Sequence, residues 1–244
     1  MSMVGGKVAI EPILVARFLA VIACGLILAS LAGQFVSLVF GFDYLKGLIP
    51  LFNLDAEENI PTYFSVLLLL TCASLLAIIG ILNKRVHDPH ATKWLILSIG
   101  FLLMAYDEAF QVHELLSNPV RAMLGNRGVG FLYFSWVVPA IILIAVLAVY
   151  FLRFLLQLPL ASAMRFLFAA LLYLGGAIGI EMLGGDYEEF HGMHNWPYVL
   201  TYTLEETLEI YGMIFFIWAL LKHIQEKYQI LHITIGKQVD DHTD

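Results

Sequence analysis

The sequence predicts an all-α polytopic membrane protein, a single domain over residues 1–244 built as a bundle of about six transmembrane helices, with the N- and C-termini cytoplasmic. Three observations lead there. Hydrophobic residues make up 60% of the chain and charged residues only 14%, at a mean hydropathy of +0.83, which a soluble domain of this length does not carry. Six apolar stretches reach the roughly 20 residues that ~30 Å of hydrocarbon demands at ~1.5 Å per residue. Lysine and arginine gather at alternate ends of those stretches.

The stretches lie at about 15–40, 62–82, 91–115, 130–155, 164–183 and 197–221. Each is read as helical, because an unpaired backbone amide is costly in lipid and a helix pairs its own. In the first, Ser30-Leu31-Ala32 passes for a signal cleavage site after the apolar run, but the segment is read as a signal anchor and first span. Cys24 and Cys72 fall inside the first two spans without loop partners, so both are read as small buried hydrophobes rather than disulfide or metal cysteines. Gly25…Ala29…Gly33 and Gly175…Gly179 are small-xxx-small patterns that let helices approach closely.

Orientation follows from the basic residues. One side collects Lys7, Arg17, Lys84, Arg85, Lys93, Arg153, Arg165, Lys222, Lys227 and Lys237; the other has only Lys46, Arg121 and Arg127. The richer side is cytoplasmic, and the plasma (inner) membrane is the expected location. The outer loops are then about 41–61, 117–129 and 184–196. The first forms a short interfacial helix, and its Asp43, Asp55, Glu57 and Glu58 read as a solvated face. Trp196 and Tyr198 suit an outer aromatic belt and Trp94 an inner one. The acidic clusters of the two halves lie on the same side, which argues against an inverted transporter repeat.

The functional signal is acid inside apolar helices. The third span carries Asp107, Glu108, Gln111, His113 and Glu114, the fifth carries Glu181, and the sixth carries Glu205, Glu206 and Glu209. At the helical rise, Asp107, Glu108, Glu205 and Glu206 lie ~12 Å below the outer boundary and Glu209 ~18 Å. Three helices thus deliver carboxylates to one half of the bilayer. Asp107, Gln111 and Glu114 share a face, and Glu205, Glu206 and Glu209 crowd one side of their helix. On an ideal helix His113 points away and joins only if the helix unwinds. Similarly, Glu181, Glu188 and His191 share a face only if the fifth helix runs on through Gly184-Gly185. Tyr106, Tyr202 and Tyr211 flank the acids as hydrogen-bond donors, redox-active phenols or, the plainer reading for any one of them, packing aromatics.

Each ionised acid at mid-span costs about 2.5–3.5 kcal/mol. Five or six would cost on the order of 15 kcal/mol, comparable to the stability of a whole domain. No lysine or arginine lies at their depth, so shared protons, histidine or bound metal must compensate. Bundles with inward glutamates from several helices, helped by histidine, form dinuclear iron and manganese sites. Here only one Glu-x-x-His pair exists, Glu188 with His191, in the last outer loop. His191-Gly-Met-His194 reads equally as a solvated turn or as ligands.

The candidate metal ligands are therefore Asp107, Glu108, His113, Glu114, Glu181, Glu205, Glu206 and Glu209, with Gln111, Glu188, His191 and His194 as further candidates. Hard oxygen ligands favour iron or manganese, with calcium as an alternative and zinc if histidine takes part. A retinal Schiff base would need a mid-membrane lysine, and a bis-histidine haem two facing histidines. The expected function is an integral membrane metal-binding protein with a carboxylate-rich site, an oxidoreductase acting on a lipid-soluble substrate or quinone. A proton- or cation-coupled transporter or channel and a structural membrane subunit are the alternatives. Membrane lipid is the expected partner, and a formal charge of −7 excludes nucleic acid.

Overall fold

The computed structural model describes residues 7–9, 11–125, 130–228 and 232–234. Arg127 and Lys237, which entered the charge count, lie outside them. The architecture is helical apart from a three-residue antiparallel pair, β1 (Lys7–Ala9) with β2 (His232–Thr234), which sets the two ends of the described chain side by side.

Local chemistry sets the helix ends. Helix α1 (Pro12–Phe40) opens with proline in its first turn, where a missing N–H costs nothing, and stops where Gly41 turns to φ 70° and its N–H caps the Ser37 carbonyl. The short α2 (Leu48–Phe52) is the helix expected in the first loop. Helix α3 (Ile60–Arg85) is capped by the Asn59 side chain, which accepts from the Thr62 N–H at 3.2 Å. Helix α4 (Ala91–Phe110) breaks, and α5 (Glu114–Leu124) leaves it at 85°. Helix α6 (Val137–Gln157) ends as Leu158 turns extended ahead of Pro159. Helix α7 (Leu160–Leu174) continues through a π-helical segment, Gly175–Ile180, into α8 (Glu181–His191), and α9 (Trp196–Tyr228) completes the fold.

Five of these helical rods are long and apolar enough to cross a membrane, six if the bent α4–α5 pair forms one broken span. The sequence boundaries therefore need three corrections. The third helix ends at Phe110 rather than 115, the fourth begins at Val137 rather than 130, and the fifth runs on from 183 to His191. Hydropathy cannot see a backbone reversal inside an apolar run, nor a helix that persists into polar sequence.

Helix α9 is the central element and packs on α1, α3 and α7, while α3 pairs with α4. The close crossing of α7 and α9 depends on two glycines. A Cβ on Gly176 would sit 2.7 Å from the Glu205 carbonyl oxygen, and one on Gly212 would sit 2.8 Å from the Tyr173 nitrogen. Nothing lies within 4 Å of a Cβ on Gly175 or Gly179, so that contact falls one position away from the pattern read in sequence; of the α1 pattern Gly25 is open, while a Cβ on Gly33 would lie 3.7 Å from Ile49 of α2. Cys72 is buried as expected, but Cys24 is exposed on α1. One end of the bundle is filled by Leu76, Ile79, Trp94, Phe154, Leu220 and Ile224, with Phe101, Phe166 and Phe216 against them. The other end is hollow.

Candidate functional site

The hollow is a cavity of about 450 Å³ between α4, α8 and α9, roofed by α5, by residues 54–57 and by residues 133–136. The π-helical turn and α8 bring in Glu181 and Glu188, because the helix does persist through Gly184 and Gly185. Gly185 must be small there: a Cβ would lie 3.0 Å from both Tyr133 and Phe134. Helix α9 contributes Glu205, Glu206 and Glu209, and α4 contributes Asp107 and Glu108.

His113 arrives by the unwinding the sequence required. Gln111 takes the left-handed conformation, φ 54° and ψ 39°, and ends α4. The chain turns back, so that the His113 N–H donates to Asp107 Oδ1 at 2.7 Å and its Nδ1 lies 3.0 Å from Oδ2. Asp107 thus grips backbone and ring together, leaving Nε2 to face Glu57, with Oε1 at 3.9 Å. The Trp136 ring packs on the imidazole at 4.8 Å between centroids. Glu57, His113 and Glu114 form a trio whose ligand atoms all lie within 4.8 Å of one another.

Nine of the twelve sequence candidates line the cavity: Asp107, Glu108, His113, Glu114, Glu181, Glu188, Glu205, Glu206 and Glu209. Three do not. Gln111 is spent on the turn, and His191 is exposed and stacked on Tyr187 at 4.4 Å. His194 is exposed beyond the end of α8, in keeping with the solvated-turn reading.

The sequence reading missed Asp55 and Glu57, which it left as a solvated face. They are folded inward because Leu54 is buried, its N–H donating to Ser30 Oγ at 3.1 Å, and because Asn59 Nδ2 donates to the Asn53, Ala56 and Pro50 carbonyls. The Asn59-x-x-Thr62 cap was the one available signal. Tyr198 is not a belt residue either: it is buried, and its hydroxyl reaches Asp55 at 3.1 Å and Glu188 at 3.4 Å. Trp136 Nε1 donates to Glu181 at 3.0 Å and Tyr133 to Glu188 at 3.0 Å. Of the flanking tyrosines, Tyr202 donates to Asn53, Tyr211 to the Ala20 carbonyl, and Tyr106 points outward against Phe110. The tyrosine of α7 that lines the cavity, with Glu209, is Tyr173.

The charge balance is lopsided. Ten carboxyl side chains line this space against one arginine and one histidine. Arg121 does not pair with any acid among the described residues; it donates to the Tyr133 carbonyl and lies over that ring at 4.3 Å. The ion pairs found at the cavity both belong to His113. At the loop edge, burial pushes Glu57 up to about 7 and Asp55 up to about 6, with neighbouring acids adding to burial and His113 and Tyr198 opposing it.

Comparison with protein families matches residues 18–224 to one described as a domain of unknown function, DUF8692. The chain belongs to the DUF8692 family. Comparison with curated proteins and with solved structures finds no match. The DUF8692 segment runs from α1 to near the end of α9, so it contains every residue that lines the cavity, while β1 and β2 fall outside it.

Proposed function

We propose that this DUF8692 protein is a multi-pass membrane metalloprotein whose carboxylate cavity holds iron or manganese, and that it is an oxidoreductase for a lipid-soluble substrate. One observation carries the reading: ten carboxyls share a single cavity of about 450 Å³ with one histidine and an arginine engaged elsewhere. Like charges gathered out of water are tolerated when something positive lies among them, and each dication offsets two carboxylates.

The donor set fits such a centre. Glu108, Glu181, Glu205, Glu206 and Glu209 would supply hard oxygen, and Glu57, His113 and Glu114 would add a convergent imidazole and two carboxylates at the rim. Asp107 would hold His113 in the tautomer that frees Nε2, as the carboxylate partner of a metal-bound histidine does. Trp136 and Tyr133 would orient the acids by hydrogen bonds. A bound metal would supply the redox chemistry, and the exposed apolar faces of the helices suit a substrate that arrives through lipid.

Ion transport through the same acids has less support. Beyond Glu209 the bundle is filled by packed aromatics, with Phe101 stacked on Phe216 at 5.2 Å and Phe166 edge-on to Phe216 at 5.5 Å. Elemental analysis of full-length protein purified without chelator is expected to find stoichiometric iron or manganese. Its absence, with the protein folded, overturns the proposal.

A further inference from the structure

Helices α4 and α6 run antiparallel and touch at both ends. At the acid end Trp136, just ahead of α6, packs on His113 beyond the end of α4. At the other end Trp94 meets Phe154 edge-on at 5.1 Å between centroids, and Lys93 Nζ lies 3.2 Å from the centroid of the Tyr150 ring. The stripe of α6 turned to the bundle follows from burial at helical spacing: Val137, Ala140, Ile144, Leu147, Phe151 and Phe154. Its two ends are covered, with Val137 0% exposed and Phe154 5%.

The middle of that stripe is not covered. Leu147 is 40% exposed, and Leu143 on its flank is 58% exposed. On α4, Gly100 lies seven residues from Lys93, two helical turns along the same face, and a Cβ there would meet nothing within 4 Å. A small residue ordinarily lets membrane helices close on each other, yet here the helices stay apart. Two helices pinned at both ends and unpacked between them leave a window, ~10 Å along α4 from Lys93. Its α6 wall is hydrocarbon, since 137–149 contains no polar side chain. An empty gap would forfeit dispersion contacts on both sides, so a chain of the surrounding lipid is the natural filling.

The foot of the window selects among lipids. Lys93 donates to the Tyr150 carbonyl at 3.4 Å, on the exposed surface of the bundle. Arg153 is exposed three residues further along α6, on the adjoining face. Among the described residues neither forms an ion pair with a carboxylate, whereas Arg165 and Lys227 at the same end are each paired at 2.9 Å. Two cations without acids, below an apolar window, complement a phosphate that carries a hydrocarbon chain.

We propose that the α4–α6 window binds an anionic phospholipid, with one acyl chain lying across Gly100 and the phosphate held by Lys93 and Arg153. The inference rests on the multi-pass reading above and is independent of the metal.

The test is native mass spectrometry of the full-length protein in detergent, titrated with dioleoyl-phosphatidylglycerol or with dioleoyl-phosphatidylcholine, which has the same chains and no net charge. The anionic lipid is expected to bind about tenfold more tightly. Lys93→Gln and Arg153→Gln are each expected to weaken it about fivefold. Lys84→Gln/Arg85→Gln, which removes two charges elsewhere at that end, is expected to leave it unchanged. Gly100→Leu fills the window, keeps both charges, and is expected to weaken it roughly threefold by crowding the chain. Equal binding of the two lipids, wild-type affinity in Lys93→Gln, or an equal loss in the Lys84→Gln/Arg85→Gln protein overturns the proposal and leaves the spans standing. Binding of neither lipid overturns it together with the multi-pass reading. A lipid-free dimer that Gly100→Leu disrupts also overturns it, because the window then holds a second copy of the chain.

Discussion

The two ends of the bundle treat buried polarity in opposite ways. Around Trp94 and His223, each charge that enters has a partner: Lys227 bonds both Asp88 and the buried Asn83 side chain, and Arg165 makes a two-oxygen contact with Glu226. Around Glu206 and Glu209, on the same helix, acids face acids. The chain is therefore able to neutralise charge where charge serves structure. The acidic end has far fewer positive partners than acids, and the metal proposed there would supply what is missing, since an unpaired buried ion is costly and a paired one nearly breaks even.

This contrast can be broken by swapping the treatment. Glu206→Gln/Glu209→Gln removes two acids with little change in shape, and metal content is expected to fall at least tenfold. The metal-free double variant is expected to melt no lower than the metal-free wild type, because amides avoid the cost of burying like charges together. Lys227→Met at the other end is expected to do the reverse, lowering stability by about 1–2 kcal/mol with metal content unchanged. Elemental analysis and thermal melts on both proteins decide it. A double variant that keeps its metal, or a Lys227→Met protein that loses it, would erase the distinction.

The next effect sharpens the role of the α4 break. Asp107→Asn keeps the acceptor for the His113 backbone N–H but weakens the hold on Nδ1. Metal affinity is expected to fall about 10- to 100-fold, as it does when the partner of a metal-bound histidine is altered. Competition with a calibrated chelator measures it. Affinity equal to wild type would remove His113 from the site.

Much of the fold was open to the sequence, and the reason is physical: lipid demands long apolar helices, so hydropathy alone locates them. Glu205, Glu206 and Glu209 were legible for the same reason, as acids where apolar residues belong. The rest depended on tertiary facts with no local signature. Nothing in Phe110-Gln111-Val112 announces a left-handed residue that folds His113 back onto Asp107. Asp55 and Glu57 resemble any solvated loop until Leu54 is seen to anchor that loop against Ser30. Trp94 looked like a belt residue because tryptophan favours interfaces, yet packing from α6, α7 and α9 buries it.

The smallest effect is the pH response of the acidic end. Asp55 and Glu57 sit at about 6 and about 7, above ordinary values of 3.8 and 4.5, chiefly because burial disfavours their charged forms. Between about pH 4 and pH 7 the folded protein thus holds more protons at these sites than the unfolded chain does. Stability must fall as pH rises through that window and level off above it. The metal-free protein is expected to lose a few degrees of melting temperature from pH 5 to pH 7.5. The metal-loaded protein is expected to lose less or to gain, since ligation by Glu57 competes with its proton. The paired charges at the other end do not predict this slope: Asp88 is held below its ordinary value mainly by the His90 backbone N–H and Lys227, against burial, so it acts only under more acidic conditions and with the opposite sign. A metal-free melting temperature that rises from pH 5 to pH 7.5 would mean that the acids are already compensated within the fold, and the contrast between the two ends would lose its electrostatic basis.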